Sequence, residues 1–244
     1  MNKKLFIFFL LSLFYLQSQA SISDSTANEI FTLIYQQNLE AAENQLNSEK
    51  EQLDKFYYLL LNLDLHWWKY RTINTKHDSK KLEDLFYLPD TRKETKWQKV
   101  KQLLTISYKI RFQKTKLNFI GMFSSRSEIK EIIDQIKPVE LSLNGEQIEL
   151  IEAYIIMFQY IENINFLNSR NNSDQRKELL NRMKEFSTRD NEMLSTIACF
   201  FLARMYQKVE KETKTGLSYY KILTTRYTTN KTFEKYQKEC EDKL

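Results

Sequence analysis

The stretch MLSTIACFFLARMYQKVEKETKTGLSYYKILTTRYTTNKTF, Met193 to Phe233, decides the fold class of this chain. Leu194, Ile197, Phe201, Leu202, Met205 and Tyr206 recur at the three- and four-residue spacing that lines one face of a helix. The charged turn Val209-Glu210-Lys211-Glu212-Thr213-Lys214 interrupts that run, and Leu217, Tyr220 and Leu223 begin a second. Two-helix units of this kind cannot bury their apolar faces alone, so they stack, and such stacks hold other proteins.

The rest of the chain is consistent with helices throughout. Only three glycines and two prolines occur in 244 residues, whereas β-sandwiches and barrels spend both residue types on turns. Ahead of this, residues 1–20 read as a signal peptide. Lys3 and Lys4 precede the apolar run Leu5 to Leu16, and Ser18-Gln19-Ala20 has the small-x-small form of a cleavage site. Twelve residues are too few to cross a bilayer of about 30 Å as a helix. The expectation is export, with the periplasm favoured and a secreted or membrane-peripheral location as the alternative. Residues 21–244 are expected to form one all-helical domain.

Along that domain the periodicity predicts ten or eleven helices. Ile30 to Ile34 form a short one ending at Gln36-Gln37-Asn38, and Leu39, Ala42 and Leu46 line the next. Longer helices are expected over about Glu51 to Arg71, Glu94 to Phe119 and Glu146 to Leu167. Shorter ones are expected over Lys81 to Tyr87, from Ser127 to the stop at Pro138, and from Gln175 to Phe186 with Ser173 as N-cap. Gly121 reads as a break and Asn144-Gly145 as a turn. A final polar helix starts at Lys231.

Two places resemble tetratricopeptide repeats. Asn38-Leu39-Glu40-Ala41-Ala42-Glu43-Asn44-Gln45-Leu46 resembles the turn and second-helix opening of such a repeat, with Ala42 at the small position. Leu202-Ala203, Tyr206, Gly216, Tyr220 and Leu223 match the large, small and aromatic positions of another. Thr228 stands where the repeat ending would carry proline, and Gly216 where it would carry alanine. With its leader and Trp67-Trp68-Lys69, the chain resembles the exported tetratricopeptide-like proteins of Bacteroidetes-type bacteria. That resemblance implies an irregular solenoid of antiparallel helical hairpins and a non-catalytic protein-interaction adaptor. The alternatives are a structural subunit of an envelope complex or, further off, an enzyme of unknown class. It brings no catalytic residues and no cofactor.

Three groups of residues could carry chemistry or binding. Asp64, His66 and His77 are the one metal-like grouping, but residues two apart on a helix point to different faces, and a polar pair at a helix end is the expectation. No metal site or catalytic residue is expected. Trp67, Trp68 and Tyr70 form a dense aromatic group, of which one tryptophan should be core and the other groove-facing or between helices; an exposed aromatic of the group could bind a partner. Between Lys69 and Lys116, fourteen basic residues outnumber five acidic ones, which could attract an acidic protein of the envelope or an anionic membrane surface. Lys99, Lys109, Arg111, Lys114 and Lys116 are the candidates to face that partner, with membrane contact at most peripheral and nucleic acid excluded by export. Cys199 reads as a small core residue and Cys240 as part of a polar helix; a disulfide between them is not the expectation.

Overall fold

The computed structural model describes residues 25–87, 95–136, 143–164 and 173–244. Every regular element among them is an α-helix: α1 (25–35), α2 (Leu39–Ser48), α3 (Lys55–Thr72), α4 (Lys76–Leu85), α5 (Lys96–Thr115), α6 (Phe119–Gln135), α7 (Gly145–Glu162), α8 (Ser173–Ser187), α9 (Glu192–Lys208), α10 (Thr213–Arg226) and α11 (Lys231–Glu241). The all-α expectation is therefore met. The stops expected at Pro89 and Pro138 lie outside the described residues.

Polar residues set where the helices begin. Asp54 takes the Phe56 amide at 2.7 Å and opens α3. Thr75 with Asp78, Thr95 with Gln98, and Asn144 with Gln147 each form a reciprocal capping box that satisfies two otherwise orphaned amides. These boxes account for two departures from the expected bounds. The helix α4 starts five residues earlier than its apolar spacing implies, and Gly145 is the first residue of α7, not a turn. Gly121 likewise does not break the chain. It sits in the first turn of α6, where its amide donates to the Asn118 side chain at 3.0 Å. A methyl group there would come within 2.8 Å of both Asn118 and Gln113 side chains, so glycine lets the cap close.

Packing follows the small residues. At Gly216, an added Cβ would meet the Ala203 carbonyl at 3.0 Å and the Gln207 amide at 3.1 Å, so the backbones of α9 and α10 touch there. Ala203 is itself fully buried, and so is Ala42 on α2. The first and last described helices meet. Asn230, fully buried, caps α11 by accepting from the Thr232 and Phe233 amides at 3.1 Å, and donates to the Tyr35 carbonyl at 2.7 Å. Around that bond Tyr35 packs on Trp68 and Tyr227 at 5.5 Å, and Trp68 packs edge-on against Phe233. Thus α1, α3 and the α9–α11 unit share one aromatic cluster. Cys199 and Cys240 are both free and buried; Cys240 lies on the buried face of the otherwise polar α11.

Candidate functional site

The helix α3 is covered on two sides, and its polar residues are consequently inside. Asp64 lies mid-helix and is 2 % exposed. Three other helices deliver phenols to it. Tyr108 of α5 donates to one carboxylate oxygen at 2.5 Å, and Tyr35 of α1 approaches the other at 3.5 Å. The hydroxyls of Tyr108 and of Tyr154 on α7 lie 2.9 Å apart. One turn beyond Tyr108, and so on the same face of α5, Arg111 lays its guanidinium over the Tyr108 ring at 4.9 Å and the Tyr154 ring at 5.7 Å.

The electrostatics follow from this enclosure. Burial pushes the Asp64 carboxyl up to about 6, against the lowering effect of Tyr108, Arg111 and Tyr35. The three phenols are raised above their ordinary range, chiefly by burial and then by the Asp64 charge, so they remain donors. Asp64 is therefore the group here that exchanges a proton near neutrality. A general acid or base must come within hydrogen-bond reach of a substrate. Tyr35, Tyr108 and Tyr154 are each under 5 % exposed, so the network ties α1, α3, α5 and α7 together and is closed to substrate.

On the opposite face of α3, His66 is held near 4, primarily by burial and then by the Lys81 charge. Lys69 and Lys81 both pair with Glu43 of α2, whose carboxyl is lowered mainly by its bond to Lys69. Asp64 and His66 do face different sides, but the helix-end placement is corrected: both are buried at mid-helix. No group of three or more metal-ligating side chains occurs among the described residues.

The residues singled out for partner binding divide in two. Trp68 and Tyr70 are inside, at 3 % and 7 % exposed, with the Tyr70 hydroxyl 2.9 Å from that of Thr115. Arg111 turns inward onto the Asp64 network. Trp68 is thus the core member expected of the tryptophan pair; as partner-binding residues Trp68, Tyr70 and Arg111 are corrected, the first two because α3 is covered on two sides and Arg111 because its guanidinium stacks on the Tyr108 and Tyr154 rings. Trp67 is half-buried, with Arg71 over its ring at 5.9 Å. Lys99 donates to Gln135 at 2.9 Å, Lys109 is half-buried, and Lys114 and Lys116 are exposed, the latter above the rings of Tyr70 and Phe112.

Sequence reasoning missed a concavity among the described residues. Between α6, α7 and α8 runs an open groove of about 830 Å³. Ile133, Ile136, Ile155, Ile156 and Leu179 line it, and Arg182 reaches Glu152 at 2.9 Å beside it. Its rim carries four carboxylates (Glu152, Asp174, Glu178, Glu185) against Lys177 and Arg182. The isoleucines of α6 and α7 were legible as apolar stripes, but not that α8 leaves part of them uncovered. No helix among the described residues is long and apolar enough to cross a membrane. No family model, curated protein or solved structure matches this chain.

Proposed function

We propose that this chain is a non-catalytic interaction scaffold of the cell envelope, exported by its leader and built from tetratricopeptide-like hairpins. The groove between α6, α7 and α8 is the observation that carries the reading. An aliphatic floor with a charged rim is the form that accepts an apolar helix or extended segment of another protein. Because the rim is predominantly acidic, the segment that fits it is apolar with basic flanks. The acidic partner expected from the sequence would suit the cationic surface of α5 instead. The hairpin reading is supported by the backbone contact of α9 and α10 at Ala203 and Gly216.

A photo-crosslinking amino acid placed at Leu179 in cells of the native host tests this. One adduct is expected there, absent when the probe is at exposed Lys221 on α10 and weakened by Ile155→Glu. Failure to find an adduct, or turnover of a small molecule by the purified protein, would overturn the scaffold reading.

A further inference from the structure

The corner between α5 and α6 exposes apolar side chains that nothing in the scaffold reading uses. Leu117 is 71 % exposed, Phe119 55 %, Ile120 86 % and Phe123 58 %. Phe119 and Phe123 are four apart on α6, and Ile120 is three from Phe123, so they share one side of its first turns. The Tyr70–Thr115 contact ties the end of α3 to the end of α5, which brings exposed Ile73 to the same end of the molecule.

The backbone at this corner is also unusual. Among the described residues, four other than glycine have left-handed backbone: Gln37, Asn74, Leu117 and Lys211. Three are polar; a bulky leucine in that region is a conformational outlier that glycine or asparagine would relieve. The corner therefore keeps an exposed leucine at a conformational cost.

Charge identifies what such a corner meets. From Thr95 to Ser127 the chain carries eight cations and no carboxylate. Lys114 and Lys116, at the corner itself, are exposed. Arg126 is paired with Glu162. Glu128, the next acid in sequence, lies over a turn beyond Phe123. Aromatic and aliphatic side chains exposed next to solvent-facing lysines are the composition that enters the headgroup boundary of an anionic bilayer. We propose that the α5–α6 corner is a membrane-docking tip: Leu117, Phe119, Ile120 and Phe123 enter the interface of an anionic lipid surface, and Lys114 and Lys116 hold lipid phosphates.

A fluorophore at the corner tests this with the full chain. Cys199 and Cys240 are buried, so Ser124→Cys and, as a control on α10, Ser218→Cys direct an environment-sensitive NBD label to exposed sites. With vesicles of phosphatidylcholine and phosphatidylglycerol, the Ser124 label should brighten and shift to the blue, and the Ser218 label should not. Vesicles of phosphatidylcholine alone should give a weaker response. Lys114→Glu with Lys116→Glu should weaken binding by more than about twentyfold, from about fivefold per lysine removed. Phe119→Ser, Ile120→Ser and Phe123→Ser together should abolish the blue shift. No shift on anionic vesicles, equal shifts at both labels, or equal response to neutral and anionic lipid would each overturn the proposal. So would a blue shift that grows with protein concentration without lipid, which would make the corner a contact with a second copy. Should a variant lose helicity by circular dichroism, the label comparison in the otherwise unaltered chain still decides.

Discussion

Asp64 and His66 sit two residues apart on α3, and burial moves them in opposite directions across the same pH range. In the folded chain Asp64 holds its proton up to about 6 in place of the ordinary 3.8. Between those values the folded state binds more protons than the unfolded one, so this group's contribution is present below about pH 4 and lost as pH rises through 6. At about 1.4 kcal/mol per pH unit, the loss is about 3 kcal/mol. His66 has the opposite sign. Its folded value near 4 lies below the ordinary 6.5, so its contribution is present above that value and lost as pH falls toward 4. The imidazole is less completely enclosed than Asp64, and allowing for solvent screening its share is about 2 kcal/mol. The two nearly cancel, so their summed effect on the stability of the intact protein should change little between about pH 4 and 7.

Single substitutions separate them. Asp64→Asn removes the acid and leaves the His66 slope, so that variant should gain stability relative to the intact protein as pH rises from about 4 to 7, by about 3 kcal/mol. His66→Gln should do the reverse, losing about 2 kcal/mol relative to the intact protein over the same range. Urea unfolding at a series of pH values, with the denaturant slope checked for constancy, measures both. Any fixed cost of the substitution, such as the altered bonds to Tyr108 and Tyr35, drops out because only the change with pH is compared. If the difference between Asp64→Asn and the intact protein stays within about 0.5 kcal/mol throughout, the enclosed Asp64 carboxylate does not titrate as argued.

Three further outcomes follow from particular contacts. Asn230→Ala removes the α11 cap and the bond to the Tyr35 carbonyl, and should cost about 2 kcal/mol in urea unfolding, with faster hydrogen exchange in α1 as well as α11. Gly216→Val forces a branched side chain against the Ala203 carbonyl and should cost about 2 kcal/mol, read as a lower thermal midpoint with helicity retained. Leu117→Gly relieves the left-handed backbone and should stabilise the fold by about 1 kcal/mol while weakening vesicle binding; loss of stability instead would mean that the leucine side chain has a packing role.

How far the sequence could be read depended on the range of the interaction. Local signals were enough for helix class and most helix positions: Ala42 is buried, Ala203 and Gly216 meet at a close backbone approach, and Gln37 follows the end of α1 with left-handed backbone. The misplaced starts of α4 and α7 were also local, since Thr75-x-x-Asp78 and Asn144-x-x-Gln147 are capping patterns that weigh more than the apolar spacing beside them. Gly121 was ambiguous because glycine both breaks helices and admits a tightly folded cap. What brings Tyr35, Asp64, Tyr108 and Tyr154 together is different in kind. They are separated by dozens of residues on four helices, and no periodicity within one helix encodes which phenol meets which carboxylate.

The same separation explains why the expected binding surface was partly an interior. Aromatics interleaved with arginine are the composition of an interface, and Trp68, Tyr70 and Arg111 have it. A helix packed on both long sides produces that composition for another reason. Its carboxylate needs donors, its donors need rings that can be buried with their hydroxyls, and a guanidinium stacked on those rings offsets the remaining charge. Composition alone is the same in both cases; burial separates them. The cations left outside, Lys114 and Lys116, stand beside exposed leucine and phenylalanine and not beside a buried acid. That neighbourhood is what makes the α5–α6 corner, and not the centre of α3, the place where the charge of this region can act on something outside the chain.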